Sequence, residues 1–161
     1  MKKVLDRIYR TIMPLLVVLC VLLLVLRLFG VSVICVRGTS MEPTYRSGEL
    51  HLIHKADEYK RGDVVVVQLD DVTILKRIVA VEGDTLEIYH HCVFVNDELI
   101  EPYIKGEHWN DSGEFDMCLR IKKDECFLLG DDRNRSADSR HSEIGTIKTE
   151  QIIGRVVSHE Q

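Results

Sequence analysis

Gly62-Asp63-Val64-Val65-Val66-Val67-Gln68-Leu69-Asp70-Asp71-Val72-Thr73-Ile74-Leu75-Lys76-Arg77-Ile78-Val79-Ala80-Val81 decides the fold. Its β-branched side chains are stiff at χ1 and suit a pleated strand better than a helix. Asp63–Leu69 is a continuous β-branched run bounded by Gly62 and Asp70-Asp71. Val72–Val81 follows at once, so the two runs predict an antiparallel hairpin. Lys76 and Arg77 lie inside its second strand.

On either side of this hairpin, Glu49–His54 alternates, and Thr85–Tyr89 with Cys92–Val95 predicts another hairpin, Asn96-Asp97 opening the turn after it. Met117–Ile121, Cys126–Leu129 and Ile152–Val157 continue the series of short strands, and Ile34–Val36 begins it. Lys105–Glu114 is polar, with Trp109 and Gly113, and reads as a surface loop. Brief helical turns are expected only at Thr149–Ile153 and Asp57–Tyr59. The fold class is all-β: a partly open barrel or sandwich-like domain, carried on a single N-terminal helix.

That helix is the other strong signal. Residues 1–11 carry Lys2, Lys3, Arg7 and Arg10 against Asp6 alone, Leu15–Leu26 is unbroken apolar sequence, and from Ile12 to Val36 only Arg27 is charged. As a helix this apolar region would reach ~37 Å, enough to cross a ~30 Å hydrocarbon core. A cleaved secretory signal is the competing reading. The basic and apolar regions fit it, but the sequence after Arg27 is bulky and β-branched, with no small-x-small cleavage site. The expectation is an uncleaved anchor with Arg27 at the outer interface, its stem along the lipid and its head in water. Residues 1–10 are then a cytoplasmic basic tail, 11–33 the transmembrane anchor and 34–161 an extracytoplasmic domain of a single-pass cell-membrane protein.

The first 36 residues hold five basic residues and one acidic one, so the remainder carries 16 Lys and Arg against 25 Asp and Glu, a net charge of −9. So acidic a domain lacks the clustered cations that phosphate backbones need, which argues against nucleic acid as a partner. Of the five cysteines, Cys20 and Cys35 read as small apolar residues. Cys118 and Cys126 are the nearest pair in the outer domain, and spacing alone does not join them. There is no CxxC pair to suggest zinc.

Three segments carry chemistry. Ser40 stands in Gly38-Thr39-Ser40-Met41-Glu42-Pro43-Thr44, where Gly38 permits unusual backbone geometry and Pro43 stiffens the chain. A nucleophile in such a bend offers both its hydroxyl and its own N–H to a carbonyl; alternatively Thr39-Ser40 only caps a turn. Lys76 is flanked by Ile74-Leu75 and Ile78-Val79. A lysine there is ordinarily a solvated, outward residue. Directed into a dry cleft, desolvation would lower its pKa and make it a general base, as in Ser–Lys variants of the catalytic triad. The third segment is Gly130-Asp131-Asp132-Arg133-Asn134-Arg135-Ser136-Ala137-Asp138-Ser139-Arg140. Asp132, Asn134, Ser136, Asp138 and Glu143 follow an EF-hand-like spacing, but Ala137 replaces the required glycine and three arginines would repel a cation. None of the seven histidines is needed: His51 and His54 fall on opposite faces of a strand, His90-His91 reads as a turn, and His141 follows the last box. No metal and no cofactor is called for.

In this order the segments resemble the bacterial type I signal peptidases, the membrane-bound leader peptidases. The matching stretches are Ser-Met-x-Pro-Thr at 40–44, Gly-Asp-Val-Val-Val at 62–66, Lys-Arg-Ile-Val-Ala-Val-Glu-Gly-Asp at 76–84, the Gly130–Arg140 box and a terminal Ile153-Gly154-Arg155-Val156-Val157. The likeness spans anchor to C-terminus, and the combination is far more specific than any one box.

The resemblance implies a membrane-bound endopeptidase that cleaves N-terminal signal peptides from exported preproteins after small-x-small, Ala-x-Ala-like sites. It implies Ser40 as nucleophile, Lys76 as its base, Ser136 as a hydroxyl that orients the lysine, and Asp138 and Arg140 as supports, with Asp131 opening the same box. Val36, Met41, Ile74 and Leu75 match the family's shallow apolar pockets for small P1 and P3 side chains. Ser40's N–H would be one oxyanion donor. Gly38 occupies the place where some members carry a second, serine hydroxyl donor, leaving a backbone group or water for that task. Signal peptides, the lipid bilayer and the Sec translocon are the implied partners. A lysine base rather than histidine, together with the short Lys76–Gly130 interval, resembles the compact Gram-positive form. Self-cleaving LexA-type repressors share the Ser–Lys β fold, but this chain lacks their DNA-binding helical domain. A catalytically silent, tethered β module is the reading from a different functional class.

Overall fold

The computed structural model describes residues 2–28, 30–70, 72–90, 92–100 and 115–157. The chain divides into two compact units, 1–32 and 33–161. In the first, helix α1 covers Lys2–Leu28, with Pro14 inside it. Leu15, Leu16, Val17, Val18, Leu19, Val21 and Leu24 are exposed along it. Among the described residues, no helix is long and apolar enough to cross a membrane.

The rest is β structure: β1 Val31–Cys35, β2 Leu50–His54, β3 Val64–Leu69, β4 Val72–Val81, β5 Thr85–Tyr89, β6 Cys92–Val95, β7 Glu98–Ile100, β8 Met117–Arg120, β9 Glu125–Leu129, β10 Ile147–Lys148 and β11 Ile152–Val156. Seven strands form one sheet in the order β1-β2-β11-β3-β4-β9-β10, and four form a second in the order β7-β6-β5-β8. These are two open sheets and not a closed barrel.

The hairpin read from the sequence is the centre of the larger sheet. Leu69 pairs with Val72 and Val64 with Arg77. The unbroken valine run is explained by burial on both faces, since successive side chains of a strand point to opposite sides. Val64 and Val66 pack with Val36, Met41, Tyr45, Ile53 and Val156. Val65 and Val67 pack with Ile78, Cys126, Leu128, Ile147 and Ile152. Each buried valine contributes about 1.5–3 kcal/mol, which pins the register of the strand beside it. A third cluster joins the two sheets, Val79, Ala80, Phe127 and Leu129 meeting Leu86, Ile88, Val93 and Val95.

Asn96 and Asp97 both take left-handed backbone (φ 54 and 65), as a two-residue hairpin turn requires, and they connect β6 to the unanticipated β7. Thr149–Gln151 is a single 3-10 turn. Asp57–Tyr59 is irregular rather than helical. The polar loop expected at Lys105–Glu114 lies outside the described residues. All five cysteines are free. Cys126 is buried, donates to the Ile147 carbonyl at 3.5 Å and has its thiol pushed up to about 12 by burial, while Cys118 is exposed on the other sheet.

Candidate active site

Ser40 sits in the connection between β1 and β2, just after Gly38, whose φ of +87 is open to glycine and costly for other residues. Two backbone bonds tighten this turn, Glu42 N–H to Thr39 O at 2.9 Å and Tyr45 N–H to Met41 O at 2.8 Å. A third reaches out of it: Asp132 N–H donates to Ser40 O at 3.0 Å. The nucleophile candidate is thereby fastened to the Gly130–Arg140 box. Its own N–H donates to no acceptor among the described residues.

Lys76 arrives from β4 with only 3% of its surface exposed. Its Nζ lies 2.7 Å from Ser40 Oγ and 3.0 Å from the Leu75 carbonyl. Desolvation holds the Lys76 pKa below its ordinary 10.5, against the upward pull of Asp138 and Asp131, with Arg140 adding to the depression. The ammonium donates to Oγ; once it loses its proton, the same contact runs with the Ser40 hydroxyl donating to the Nζ lone pair. The structure therefore puts this lysine in the dry cleft and not on the solvated face.

The depressed pKa has a consequence for stability. Between the lowered pKa and 10.5 the folded protein binds fewer protons at this site than the unfolded chain, so stability rises with pH across that window. Below it the buried ammonium is a burden. Replacing Lys76 by the similarly shaped Met is therefore expected to raise the thermal midpoint at pH 7, with the advantage shrinking as pH approaches 10.5. Scanning calorimetry at several pH values reads this directly; a Met variant no more stable than wild type at pH 7 would contradict it.

The box folds onto itself through carboxylate–guanidinium pairs. Asp138, fully buried, accepts from Gly130 N–H at 3.0 Å and from Arg140 Nε at 2.8 Å. Arg140 also donates to the Arg133 carbonyl at 2.7 Å, and the Phe115 ring lies 5.1 Å from its guanidinium. Asp131 accepts both Nε and a terminal nitrogen of Arg77, at 2.8 and 2.6 Å, in the bidentate geometry that favours arginine. Asp132 takes Arg135 Nε at 2.7 Å. Asp132 and Asp138, two of the three carboxylates of the EF-hand-like pattern, are thus engaged by arginines, and among the described residues no His, Cys, Asp and Glu group could hold a metal ion.

Ser136 departs from expectation. Its hydroxyl is buried but makes no hydrogen bond among the described residues, to Lys76 or to any other group. It packs beside Gly130, and so does Ser40 O.

A cavity of about 530 Å3 reaches Leu75, the residue before Lys76 in the chain, and is lined by Val36, Ile74 and Leu75 together with Ile34, Arg37 and Val66. Three of the four apolar residues expected at a substrate groove therefore meet there. The fourth, Met41, is 2% exposed and belongs to the packed cluster beneath, with Ile34 and Leu75 against it. Sequence reasoning did not single out Arg77 or Gly130 as parts of the site. The signals were present: Arg77 follows Lys76 and so faces the other way, and Gly130 is the one residue without a side chain at the entrance to a crowded box.

A family model described as signal peptidase, peptidase S26, matches residues 9–159. The chain is 30% identical over 152 residues to signal peptidase I of Bacillus licheniformis, spanning 86% of this chain and 81% of the relative. It is 31% identical over 150 residues to signal peptidase I S of Bacillus subtilis (strain 168), with the same coverage. A crystal structure of a signal peptidase I from Enterococcus faecalis V583 shares the fold, with a TM-score of 0.51 at 21% identity over 63% of this chain and 98% of that one.

Proposed function

The chain belongs to the signal peptidase family, peptidase S26, and is a serine endopeptidase; on that footing we propose that it removes N-terminal signal peptides from exported preproteins with Ser40 and Lys76 as a catalytic dyad. The observation that carries the dyad is the 2.7 Å contact between Lys76 Nζ and Ser40 Oγ at a lysine whose pKa is lowered by burial.

Neutral Lys76 takes the Ser40 proton as Oγ attacks the scissile carbonyl carbon. The oxyanion that forms is met by the unengaged Ser40 N–H, with Gly38 leaving the second donor to backbone or water. The proton passes to the leaving amine as the C–N bond breaks. Lys76 then activates a water that hydrolyses the acyl ester and restores Ser40. Asp138, Arg140 and Asp131 hold the box in place, and Ser136 packs beside Gly130, which also abuts Ser40 O. Val36, Ile74 and Leu75 offer an apolar groove, with Met41 shaping it from below.

The membrane assignment rests on the sequence: a basic tail over 1–10, an apolar anchor from residue 11 that ends before Val31, which already opens β1 and so shortens the 11–33 expected, and a catalytic domain after it outside the cell membrane. The exposed apolar side chains along α1 support it, and the signal peptide, the bilayer and the Sec translocon are its partners.

The test is cleavage of a preprotein by the purified full chain, with the new N-terminus read by mass spectrometry. A single cut after Ala-x-Ala is expected, and Ala→Leu at the residue before the cut should lower kcat/KM about a hundredfold, the scale at which an apolar pocket rejects added methylenes. Equal cutting of both substrates would sink the small-residue specificity.

A further inference from the structure

A second cavity, of about 590 Å3, shares no lining residue with the groove beside Leu75. Five basic side chains line it, His54, Lys60, Arg61, Arg77 and Arg155, against the single carboxylate of Asp63. The domain as a whole carries a net −9, so this concavity runs against its overall charge.

Three of the cations are held by carboxylates. Arg77 is gripped by buried Asp131, Arg61 by Asp84 at 3.2 Å, and Arg155 by Asp63 at 3.2 Å. A terminal nitrogen of Arg155 also lies 3.2 Å from His54 Nε2. Since a guanidinium only donates, Nε2 accepts there, which leaves the His54 proton on Nδ1. The Lys60 ammonium has no carboxylate partner among the described residues. Against the three carboxylates that pair with them, Asp63 in the lining together with Asp84 and Asp131, the four permanent cations leave one positive charge in excess. Buttressing of this kind fixes guanidinium forks for a ligand and reduces the entropy lost on binding.

We propose that this cavity binds a phosphate-bearing anion. Its oxygens are shared among Lys60, Arg61 and Arg155, whose fork and ammonium geometries match a tetrahedral oxyanion. The volume far exceeds that of a bare phosphate ion, and Val64, Val156 and the Tyr45 ring provide an apolar wall for an organic substituent. Occupancy is transmitted to the candidate active site by a short route: Arg77 lines the cavity and holds Asp131, which follows the Gly130 packed on Ser136 and on Ser40 O.

Isothermal titration of the full chain in neutral detergent, at constant ionic strength, tests this with two probes, inorganic phosphate and dihexanoyl phosphatidylglycerol below its micelle concentration. Saturable binding of at least one is expected, unaffected by equimolar acetate. Tighter binding of the lipid identifies a headgroup as the source, tighter binding of phosphate a free anion. Lys60→Gln, which removes no ion pair, and Arg155→Gln should each weaken binding at least tenfold. Thermal unfolding of both variants checks that they fold, and Lys60→Gln alone decides the matter where Arg155→Gln does not. No saturable binding of either probe by wild type, or unchanged affinity in Lys60→Gln, overturns the proposal. Preprotein cleavage is measured separately, so loss of the anion site and loss of the peptidase assignment are told apart.

Discussion

Ser40→Ala is expected to lower kcat for preprotein cleavage by about six orders of magnitude, and Lys76→Ala by a comparable factor, because either change removes a member of a unit that acts together. The two groups are 2.7 Å apart, so neither works without the other. The double variant should consequently be no worse than either single one. Lys76→Arg should fail as fully as Lys76→Ala, since a guanidinium stays charged and cannot take the serine proton. In wild type, kcat/KM should rise with pH as Lys76 deprotonates, through a midpoint below the ordinary 10.5. Cleavage within tenfold of wild type by Ser40→Ala or Lys76→Ala would remove the dyad from the mechanism.

Gly130→Ala is the second change expected to be severe, although it adds one methyl group. A Cβ at that position would lie 2.5 Å from the Ser136 Cβ, closer still to the Ser136 hydroxyl, and 2.6 Å from the Ser40 carbonyl oxygen. Backbone cannot give way as the tip of a long side chain can. Overpacking of this kind costs about 1–3 kcal/mol in stability. Relief would push the Ser40 turn away from Lys76, and a displacement near 1 Å costs about a hundredfold in rate. The variant should still fold, with a lowered thermal midpoint, a kcat about a hundred times lower and a nearly unchanged KM. Urea unfolding beside steady-state kinetics separates the two effects. Full activity in Gly130→Ala would mean that Ser40 is not held by this contact.

What was legible in the sequence was what is local. The β3–β4 hairpin could be read because valine runs and a two-residue turn are properties of neighbours along the chain. Which way Lys76 points could not, because the dry cleft is made by a turn 36 residues earlier and a box that begins 54 residues later. The resemblance supplied Ser40, Lys76 and the box as a set. It did not supply Arg77's hold on Asp131, nor the position of Met41 under the groove, nor a Ser136 hydroxyl without a partner among the described residues. Strands β7 and β10 are too short to carry a period. Asp57–Tyr59 had helical composition, but Tyr59 packs against the cluster around Val65 and its hydroxyl meets Ala56 N–H at 3.5 Å, so tertiary contacts override the local tendency.

The position of β11 has a bearing on how the site is held together. It is last in chain order, yet it lies between β2 and β3, pairing with both. Among the described strands it alone joins the edge formed by β1 and β2, between which Ser40 is held, to the hairpin that presents Lys76. Gly154 leaves room for this late entry, since a Cβ there would press on the His54 carbonyl at 3.0 Å. Without β11, no backbone ladder runs from the strands flanking Ser40 to the hairpin bearing Lys76, and the two are joined only by the packing of Val36 and Met41 on Val64 and Val66 and by the bonds that Ser40 makes. The last strand of the sheet is thus the tie between nucleophile and base.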